Sequence, residues 1–171
     1  MNEQNPLRNI RVEKVTVNMG VGAAGDELAR AKTIMEKITG AKPVETICKV
    51  KAPQWDIRPG LAIGVKVTMR KAAALAFLKN ALAAKNNALA AKSFDRSGNF
   101  AFGIREHIDL PGVKYDPKLG IRGLDVLVTL ERPGYRVKRR KNMRALVGPS
   151  HRITKDQAQG FVQSTFGVEI Q

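Results

Sequence analysis

The sequence predicts an α+β fold: a mostly antiparallel, curved sheet with helices packed on one face and an open polar and basic face on the other. The main observation is the segment 61–70, LAIGVKVTMR, in which apolar residues alternate with small or polar ones. Such period-two alternation is typical of a strand with one buried face. The other side of this strand carries Lys66, Thr68 and Arg70. It therefore offers no apolar surface to a second sheet and is free to bind an anion.

The charge of the chain indicates what kind of partner it binds. The sequence contains 30 Lys and Arg against 15 Asp and Glu, which gives a net charge of +15 and a pI near 10.4. An excess of this size favours nucleic acid or an anionic membrane as the partner. No segment approaches the roughly 20 apolar residues of a membrane span, and the segment 1–10 lacks the apolar core of a signal peptide. We therefore expect a cytoplasmic protein with a nucleic-acid partner and no membrane partner.

The same alternation predicts four further strands, and apolar stripes at helical spacing predict the helices that cover them. The predicted strands are residues 15–19, 44–48, 100–105 and 124–131. The predicted helices are residues 26–39, residues 71–85 with Leu75, Leu78 and Leu82 facing inward, and a short helix capped by Thr154 and Gln157. Residues 1–9 are expected to be loose, and residues 86–98 are expected to form an irregular connection.

Two apolar residues in the predicted strands carry separate expectations. Leu127 interrupts the alternation of its strand, which indicates that this strand is covered on both sides. Cys48 is the only cysteine, which fits a reducing compartment and excludes an internal disulfide. We expect Cys48 to be a small residue of the core.

A glycine-rich turn follows the first predicted strand. Residues 20–25 spell GxGxxG between a strand and a helix, the pattern that binds the pyrophosphate of dinucleotides. The strands of dinucleotide-binding folds, however, are covered on both faces and read as continuous apolar runs. His107 and His151 lie in separate loops, and no metalloprotease, nucleophile-elbow or Walker motif is present. We expect no enzyme, no cofactor and no metal site, and the alternative is a nucleotide-dependent enzyme using Gly20–Gly25.

The segment 49–60, KVKAPQWDIRPG, is predicted to be a loop because it contains two prolines and a glycine. It also contains basic residues and the only tryptophan of the chain, Trp55. A tryptophan in a basic, proline-stiffened loop either stacks on a base or sugar or packs back onto the core and anchors the loop. The sequence leaves both alternatives open.

Basic residues concentrate in the segment 132–155, which we call the basic arm. No carboxylate occurs between Arg132 and Lys155. A run of charge is usually a solvated face, but this one accounts for much of the excess charge and favours contact with phosphates. We expect the basic arm to be disordered in the free protein and to become ordered on RNA. The alternative is a generic basic nucleic-acid-binding protein, for which the positive charge alone would account for binding.

Four blocks of the sequence resemble one protein family. They are VEKVTVNMGVG (12–22), IRPGLAIGVKVTMR (57–70), SFDRSGNFAFGIREHIDLPGVKYD (93–116) and GIRGLDVLVTLERPG (120–134). In this order they are similar to the universal L-five family of large-subunit ribosomal proteins, and residues 132–158 resemble its archaeal and eukaryotic branch. The resemblance implies a single 5S rRNA-binding domain, residues 1–171, with a basic C-terminal extension at about 132–155 and a short terminal helix.

The resemblance also implies partners and site residues. Members of the family bind 5S rRNA through the open face of the sheet and help attach it to the large-subunit rRNA in the central protuberance, beside neighbouring ribosomal proteins. One loop reaches toward the P-site tRNA. Carried over to this sequence, the 5S-facing residues are Asn18, Thr68, Arg70, Ser97 and Asn99, and the tRNA loop is residues 51–58. Asp56 departs from the more basic loop tip of bacterial members and is unfavourable near phosphate.

The residues and the resemblance together predict two candidate sites. The candidate residues for 5S and large-subunit rRNA are Thr16, Asn18, Lys66, Thr68, Arg70, Ser97, Asn99, Arg105, Arg136, Lys138, Arg139, Arg140, Lys141 and Arg144. The candidate residues for tRNA contact are Lys49, Lys51, Gln54, Trp55 and Arg58.

Overall fold

The structure, a computed structural model that describes residues 5–171, is built around a five-stranded antiparallel sheet. The strands are β1 (Arg11–Gly20), β2 (Val44–Ile47), β3 (Ala62–Met69), β4 (Ala88–Leu89), β5 (Phe100–Ile104), β6 (Leu124–Glu131) and β7 (Glu169–Ile170). The sheet has the order β2-β3-β1-β6-β5, and every neighbouring pair is antiparallel. Strands β4 and β7 form a separate parallel pair. Residues 1–4 of the segment predicted to be loose lie outside the described residues.

Three α-helices lie in the described residues, and local capping explains the end of the first and the start of the third. They are α1 (Asp26–Thr39), α2 (Lys71–Ala84) and α3 (Lys155–Phe166). Helix α1 ends at Gly40, whose φ of 65° favours glycine and whose N–H donates to the carbonyl of Glu36. Helix α3 begins with the predicted capping box, in which Thr154 and Gln157 bond each other reciprocally. The sequence predicted α1 and α2 with nearly these bounds and predicted the start of α3.

The helices cover one face of the sheet, which we call the inner face. Its side chains are the apolar members of the alternating pattern, and they are buried: Val15, Val17, Met19, Val65, Val67, Met69, Phe100, Phe102, Ile104, Leu124, Val126, Val128 and Leu130. Helix α1 packs against β3 and helix α2 against β1. The buried residues of the sheet and of the three helices form one hydrophobic cluster. The predicted α+β class is confirmed.

The antiparallel pairing rules out the dinucleotide-binding interpretation of the glycine motif. Strand β1 leads into the motif, and both of its neighbours, β3 and β6, are antiparallel to it. A dinucleotide-binding fold requires parallel strands joined through a helix. The glycines instead form the turn into α1, where Gly22 and Gly25 have φ values of 79° and 102° that side chains disfavour.

Several predictions of burial and local structure are wrong. Leu127 is 42% exposed, so β6 is covered on one side only. Leu75, predicted to face inward, is 41% exposed, and α2 buries Phe77 beside Leu78. Strand β2 ends at Ile47, and Cys48 is only half-buried beyond it. The reason is that β2 is an edge strand, so less of the fold covers it. Residues 86–98 are not wholly irregular, because they contain β4, whose partner β7 lies at the far end of the chain.

Two leucines of α2 test the assignment of the inner face. Leu78 is fully buried and Leu75 is 41% exposed, so truncation of Leu78 leaves a cavity, whereas truncation of Leu75 removes little buried surface. We expect Leu78→Ala to lower the free energy of unfolding by about 2–5 kcal/mol and Leu75→Ala by less than about 1 kcal/mol. Urea unfolding followed by circular dichroism measures both. Equal losses would contradict the assignment of the helix faces.

Candidate nucleic-acid interface

The polar members of the alternating pattern form the opposite side of the sheet, which we call the open face. Asn18 of β1 lies directly opposite Lys66 of β3, and Thr16 lies opposite Thr68. Lys66 and Thr68 are exposed, and Thr16 and Asn18 are half-buried. The structure therefore brings four residues of the predicted site into one block on two adjacent strands.

A concavity lies at the centre of the open face, with a volume of about 460 Å³. Ala101 and Gly103 of β5 form one side of it, and their small side chains leave this space open. Asp125 of β6 lies opposite Asn18 and supplies the only carboxylate among the lining residues. The concavity thus combines an amide, a hydroxyl, an ammonium group and a carboxylate, so it presents both hydrogen-bond donors and acceptors.

The open face contains residues that the sequence prediction missed. Strand β1 begins at Arg11, four residues before the predicted start, and this extension adds Lys14 opposite Thr129. Leu127 points to the same side as Asp125 and lines the concavity. The signal for Leu127 is its position in LDVLVT, since strict alternation from Leu124 to Thr129 assigns it to the side of Asp125 despite its apolar character.

Arg70 lies at the end of β3 and belongs to a network of ion pairs, which we call the carboxylate clamp. Its members are Glu13, Glu131, Arg11, Arg70 and Arg139. Each glutamate side chain is only 8% exposed. Arg70 Nη1 is 3.4 Å from Glu13 Oε1, and Arg139 bonds both glutamates, with 2.6 Å between its Nη2 and Glu131 Oε2. Arg70 and Arg139 therefore have carboxylate partners within the protein.

A β-bulge explains how Glu13 reaches the clamp. The register of β1 against β6 shifts between Val12 and Lys14, which leaves Glu13 outside the ladder. A bulge redirects the side chain of its extra residue. Glu131 lies opposite Arg11 in the same ladder, and Arg11 donates to its Oε1 from Nε at 3.0 Å and from Nη2 at 2.7 Å. The carboxylate clamp therefore links β1 and β6 to Arg70 and Arg139 at this end of the sheet.

The predicted residues Ser97 and Asn99 lie in a tight turn, residues 95–99, before β5. Asp95 organises this turn by accepting hydrogen bonds from the backbone N–H groups of Ser97 and Asn99 and from Asn99 Nδ2. Asn99 Oδ1 accepts a bond from the N–H of Leu130. The amide of Asn99 is therefore engaged inside the protein, whereas Ser97 is exposed.

Arg105 does not join the other predicted residues. It follows β5 and is exposed, and it lines a different depression beside Asp109 and the β4–β7 pair. Arg105 therefore does not line the central concavity, although Gly103 lines both depressions.

The basic arm begins as a docked segment. Tyr135 and Arg132 are 7% and 6% exposed. The hydroxyl of Tyr135 donates to the carbonyl of His151 and accepts from the N–H of Ile153. Arg132 donates to the carbonyl of His151 and to Gln157 Oε1. The sequence could not reveal these contacts, because they join residues 16–25 positions apart.

The middle of the basic arm is exposed to solvent. Its exposed cationic residues are Arg136, Lys138, Arg139, Arg140, Lys141, Arg144 and Arg152. Met143 and Leu146 are 84% and 87% exposed in the same stretch. The arm is therefore a loop that is held at both ends and presents its charges outward.

The loop 49–60 carries all five residues of the second candidate site. An isolated bridge between Ala52 and Ile57 closes it, and its tip is the 3-10 turn Pro53–Trp55. Trp55 is 72% exposed, so the inward-packing alternative is wrong. Lys49, Lys51, Gln54 and Arg58 are exposed around it.

The described residues hold no arrangement typical of a catalytic metal centre. No group of three or more His, Cys, Asp or Glu in residues 5–171 could hold a metal ion. None of the helices in the same range is long and apolar enough to cross a membrane. A sheet that presents polar side chains from one rigid face, with cationic segments at its ends, is typical of a structural nucleic-acid-binding protein.

Comparisons with known proteins identify the family. The family model "Ribosomal protein L5" matches residues 5–58, and the model for the C-terminus of the same ribosomal family matches residues 62–164. The chain therefore belongs to the ribosomal protein L5 family and is a structural constituent of the large ribosomal subunit. The predictions of this family, of a location in the cytoplasmic ribosome and of a protein that is not an enzyme are confirmed.

Relatives from several archaea resemble the chain over nearly its whole length. The large ribosomal subunit protein uL5 of Nanoarchaeum equitans is 50% identical, over 98% of this chain and 99% of the relative. That of Methanococcus aeolicus is 46% identical, over 99% of this chain and 95% of the relative. That of Sulfurisphaera tokodaii is 47% identical, over 97% and 94% respectively.

The carboxylate clamp generates a prediction about stability. Replacing Glu131 by Gln removes the charge that Arg11 and Arg139 share in a largely buried position, so we expect the free energy of unfolding to fall by about 1–3 kcal/mol. The control is Glu45→Gln, because Glu45 pairs with Lys32 but its side chain is 43% exposed. We expect Glu45→Gln to lower the free energy of unfolding by less than about 1 kcal/mol. Chemical denaturation at low salt measures both, and a Glu131 variant as stable as the control would refute the role of the clamp.

Proposed function

We propose that the open face binds 5S rRNA and helps attach it to the large-subunit rRNA in the central protuberance of the ribosome. The observation that carries the proposal is the block of Thr16, Asn18, Lys66 and Thr68 on two adjacent strands. The helices on the inner face hold these strands in place, so the polar groups are ordered before RNA binds. Membership of the family supplies the partner class, ribosomal RNA.

The chemistry of the open face fits folded RNA better than bare phosphate. An A-form helix presents sugar hydroxyls and base edges in a wide, shallow minor groove. The hydroxyl of Thr68 and the amide of Asn18 can bond these groups, and Asp125 can accept from a 2′-hydroxyl or a base amino group. A carboxylate at the centre of a phosphate-binding surface would repel its ligand. Phosphate contacts therefore fall to Lys66 and to cationic residues around the concavity.

The basic arm contributes affinity that does not depend on sequence. Its exposed residues Arg136, Arg140, Lys141 and Arg144 can neutralise phosphates of the rRNA and release counterions. Because both ends of the arm are docked, these side chains need less ordering on binding than those of a free tail. Arg139 contributes less, because Glu13 and Glu131 already neutralise it.

The loop 49–60 is proposed to contact P-site tRNA. Trp55 is exposed at its tip and is available to stack on a base or a sugar. Asp56 adopts a left-handed backbone conformation, with a φ of 50°. Its Oδ1 lies 3.9 Å from Arg58 Nη2, so this basic neighbour partly offsets its charge.

Substitutions on the open face test the proposal. We expect Asn18→Ala and Thr68→Ala each to weaken binding to 5S rRNA about three- to tenfold, because each removes hydrogen bonds to sugars or bases. Binding to an unrelated RNA hairpin should change by less than about twofold, because phosphate contacts remain. Filter binding or fluorescence anisotropy measures both affinities.

Matched controls lie on the helical side of the molecule. Thr33 of α1 bonds the carbonyl of Ala29, and Lys79 of α2 is exposed on the side away from the open face. Thr33→Ala and Lys79→Gln should leave 5S rRNA binding unchanged, whereas Lys66→Gln should weaken it. Equal losses on 5S rRNA and on the hairpin would show that the open face is not the specific site and would favour a generic nucleic-acid-binding protein.

Trp55 provides an intrinsic reporter for the loop, because it is the only tryptophan. Addition of tRNA should quench its fluorescence, and Trp55→Ala should weaken tRNA binding about tenfold, as expected for the loss of one stacked base. Trp55→Phe should retain most of the affinity because it keeps an aromatic ring. Tight tRNA binding without any change in fluorescence would contradict a contact at Trp55.

A further inference from the structure

A cleft lies between the turn 95–99 and the basic arm, and we call it the arm cleft. Its volume is about 440 Å³, and its lining includes Arg96, Ser97, Lys138, Leu146, Arg152 and Ile153. This volume is within the range of small-molecule sites, about 300–1,000 Å³. The cleft is distinct from the central concavity, which shares none of its lining residues.

The charges around the arm cleft are all of one sign. Arg96, Lys138 and Arg152 contribute three cations, and no acidic residue is among the residues that line it. The nearest carboxylate in the turn, Asp95, already accepts hydrogen bonds from Ser97 and Asn99. Arg152 donates from Nε to the carbonyl of Val147 at 3.1 Å, which fixes the guanidinium at the cleft. The cleft is therefore complementary to an anion.

The other wall of the arm cleft is apolar and aromatic. Leu146, Val147 and Tyr135 line it, and Leu146 is 87% exposed. The Lys138 ammonium lies 4.8 Å from the centre of the buried Tyr135 ring, so a cation–π contact holds this cation beside the apolar wall. A ligand with an anionic group next to a flat apolar group fits both walls at once.

The base of the arm cleft is held together by packing. Gly98 has a φ of 77°, and a Cβ atom at this position would lie 2.5 Å from Ile153 Cγ2. The N–H of Ile153 donates to the hydroxyl of Tyr135. The turn and the arm are thus in direct contact beneath the cleft, so the site exists before a ligand arrives.

The position of the arm cleft indicates the occupant. Thr129 lines the cleft and points to the same side of β6 as Asp125 and Leu127 of the central concavity. An RNA strand on the open face would therefore pass the mouth of the cleft. A single unstacked nucleotide has the required chemistry, a phosphate joined through a sugar to a flat base.

We propose that the arm cleft binds one unstacked nucleotide of ribosomal RNA. Arg96, Lys138 and Arg152 hold its phosphate, and its base rests against Leu146 and Val147. This inference rests on the proposed function only in taking RNA as the partner. It adds a further RNA contact, made to a flipped-out base and not to a helix.

Short oligonucleotides test the arm cleft apart from 5S rRNA binding. The probe is a single-stranded tetraribonucleotide with 2-aminopurine at one position, added to the full-length protein, and insertion of the base should raise its fluorescence as it leaves its neighbours. Lys138→Gln should weaken binding about tenfold, because it removes a charge-assisted contact. Lys79→Gln, an equal change of charge on α2, should have less than about a twofold effect.

A second pair of variants tests the apolar wall. Leu146 and Met143 are both exposed on the basic arm, but only Leu146 lines the cleft. We expect Leu146→Ala to weaken binding about three- to fivefold through loss of apolar contact, and Met143→Ala to leave it unchanged. Both sites are exposed, so neither variant should affect folding.

Two outcomes would overturn the arm-cleft proposal. If Lys138→Gln and Lys79→Gln weaken binding equally, the tetranucleotide senses only net charge. If inorganic phosphate competes as well as the tetranucleotide at equal concentration, the cleft binds an anion and not a base. The probe has no folded structure, so its failure to bind leaves recognition of 5S rRNA by the open face intact. Conversely, failure of the open face leaves the tetranucleotide result standing.

Discussion

One-sided burial of the five-stranded sheet is the constraint on which the rest of the structure depends. The inward-facing apolar residues of β1, β3, β5 and β6 lie on the helical side and are almost fully buried, so these strands share one core. The same alternation leaves the opposite side chains in solvent. The open face is thus a direct consequence of how the core forms, and Thr16, Asn18, Lys66 and Thr68 are held at fixed spacing because the inner face is packed. A change that loosens the core would also disorder the polar groups of the open face.

Two buried carboxylates form ion pairs with part of the large positive charge of the chain. Glu13 and Glu131 bind three arginines at the end of the sheet, and Arg139 ties the basic arm to that end. Tyr135 and Arg132 anchor the arm from within. Some cations therefore stabilise the fold, and others, such as Lys141 and Arg144, stay free for phosphates. Net charge alone overstates the number of cations available to RNA.

Local patterns predicted most of the fold and the four polar residues that the structure brings together on the open face, Thr16, Asn18, Lys66 and Thr68. Alternation and capping residues located the strands of the main sheet and all three helices, because these depend on neighbours in sequence. The errors concern contacts between distant residues. The pairing of β4 with β7 and the hydrogen bond from the Leu130 N–H to Asn99 Oδ1 depend on how distant segments meet. The carboxylate clamp was missed for the same reason, since a bulge at Glu13 cannot be read from the alternation.

The most direct test of the central claim is binding to 5S rRNA in competition with a tRNA pool and duplex DNA at two salt concentrations. Hydrogen bonds from the open face to sugars and bases do not release counterions, whereas phosphate contacts do. We therefore expect 5S rRNA to outcompete both and to keep its advantage at the higher salt concentration. If all three nucleic acids compete equally and binding collapses as salt rises, charge alone accounts for binding, and the open face is not the site that recognises 5S rRNA.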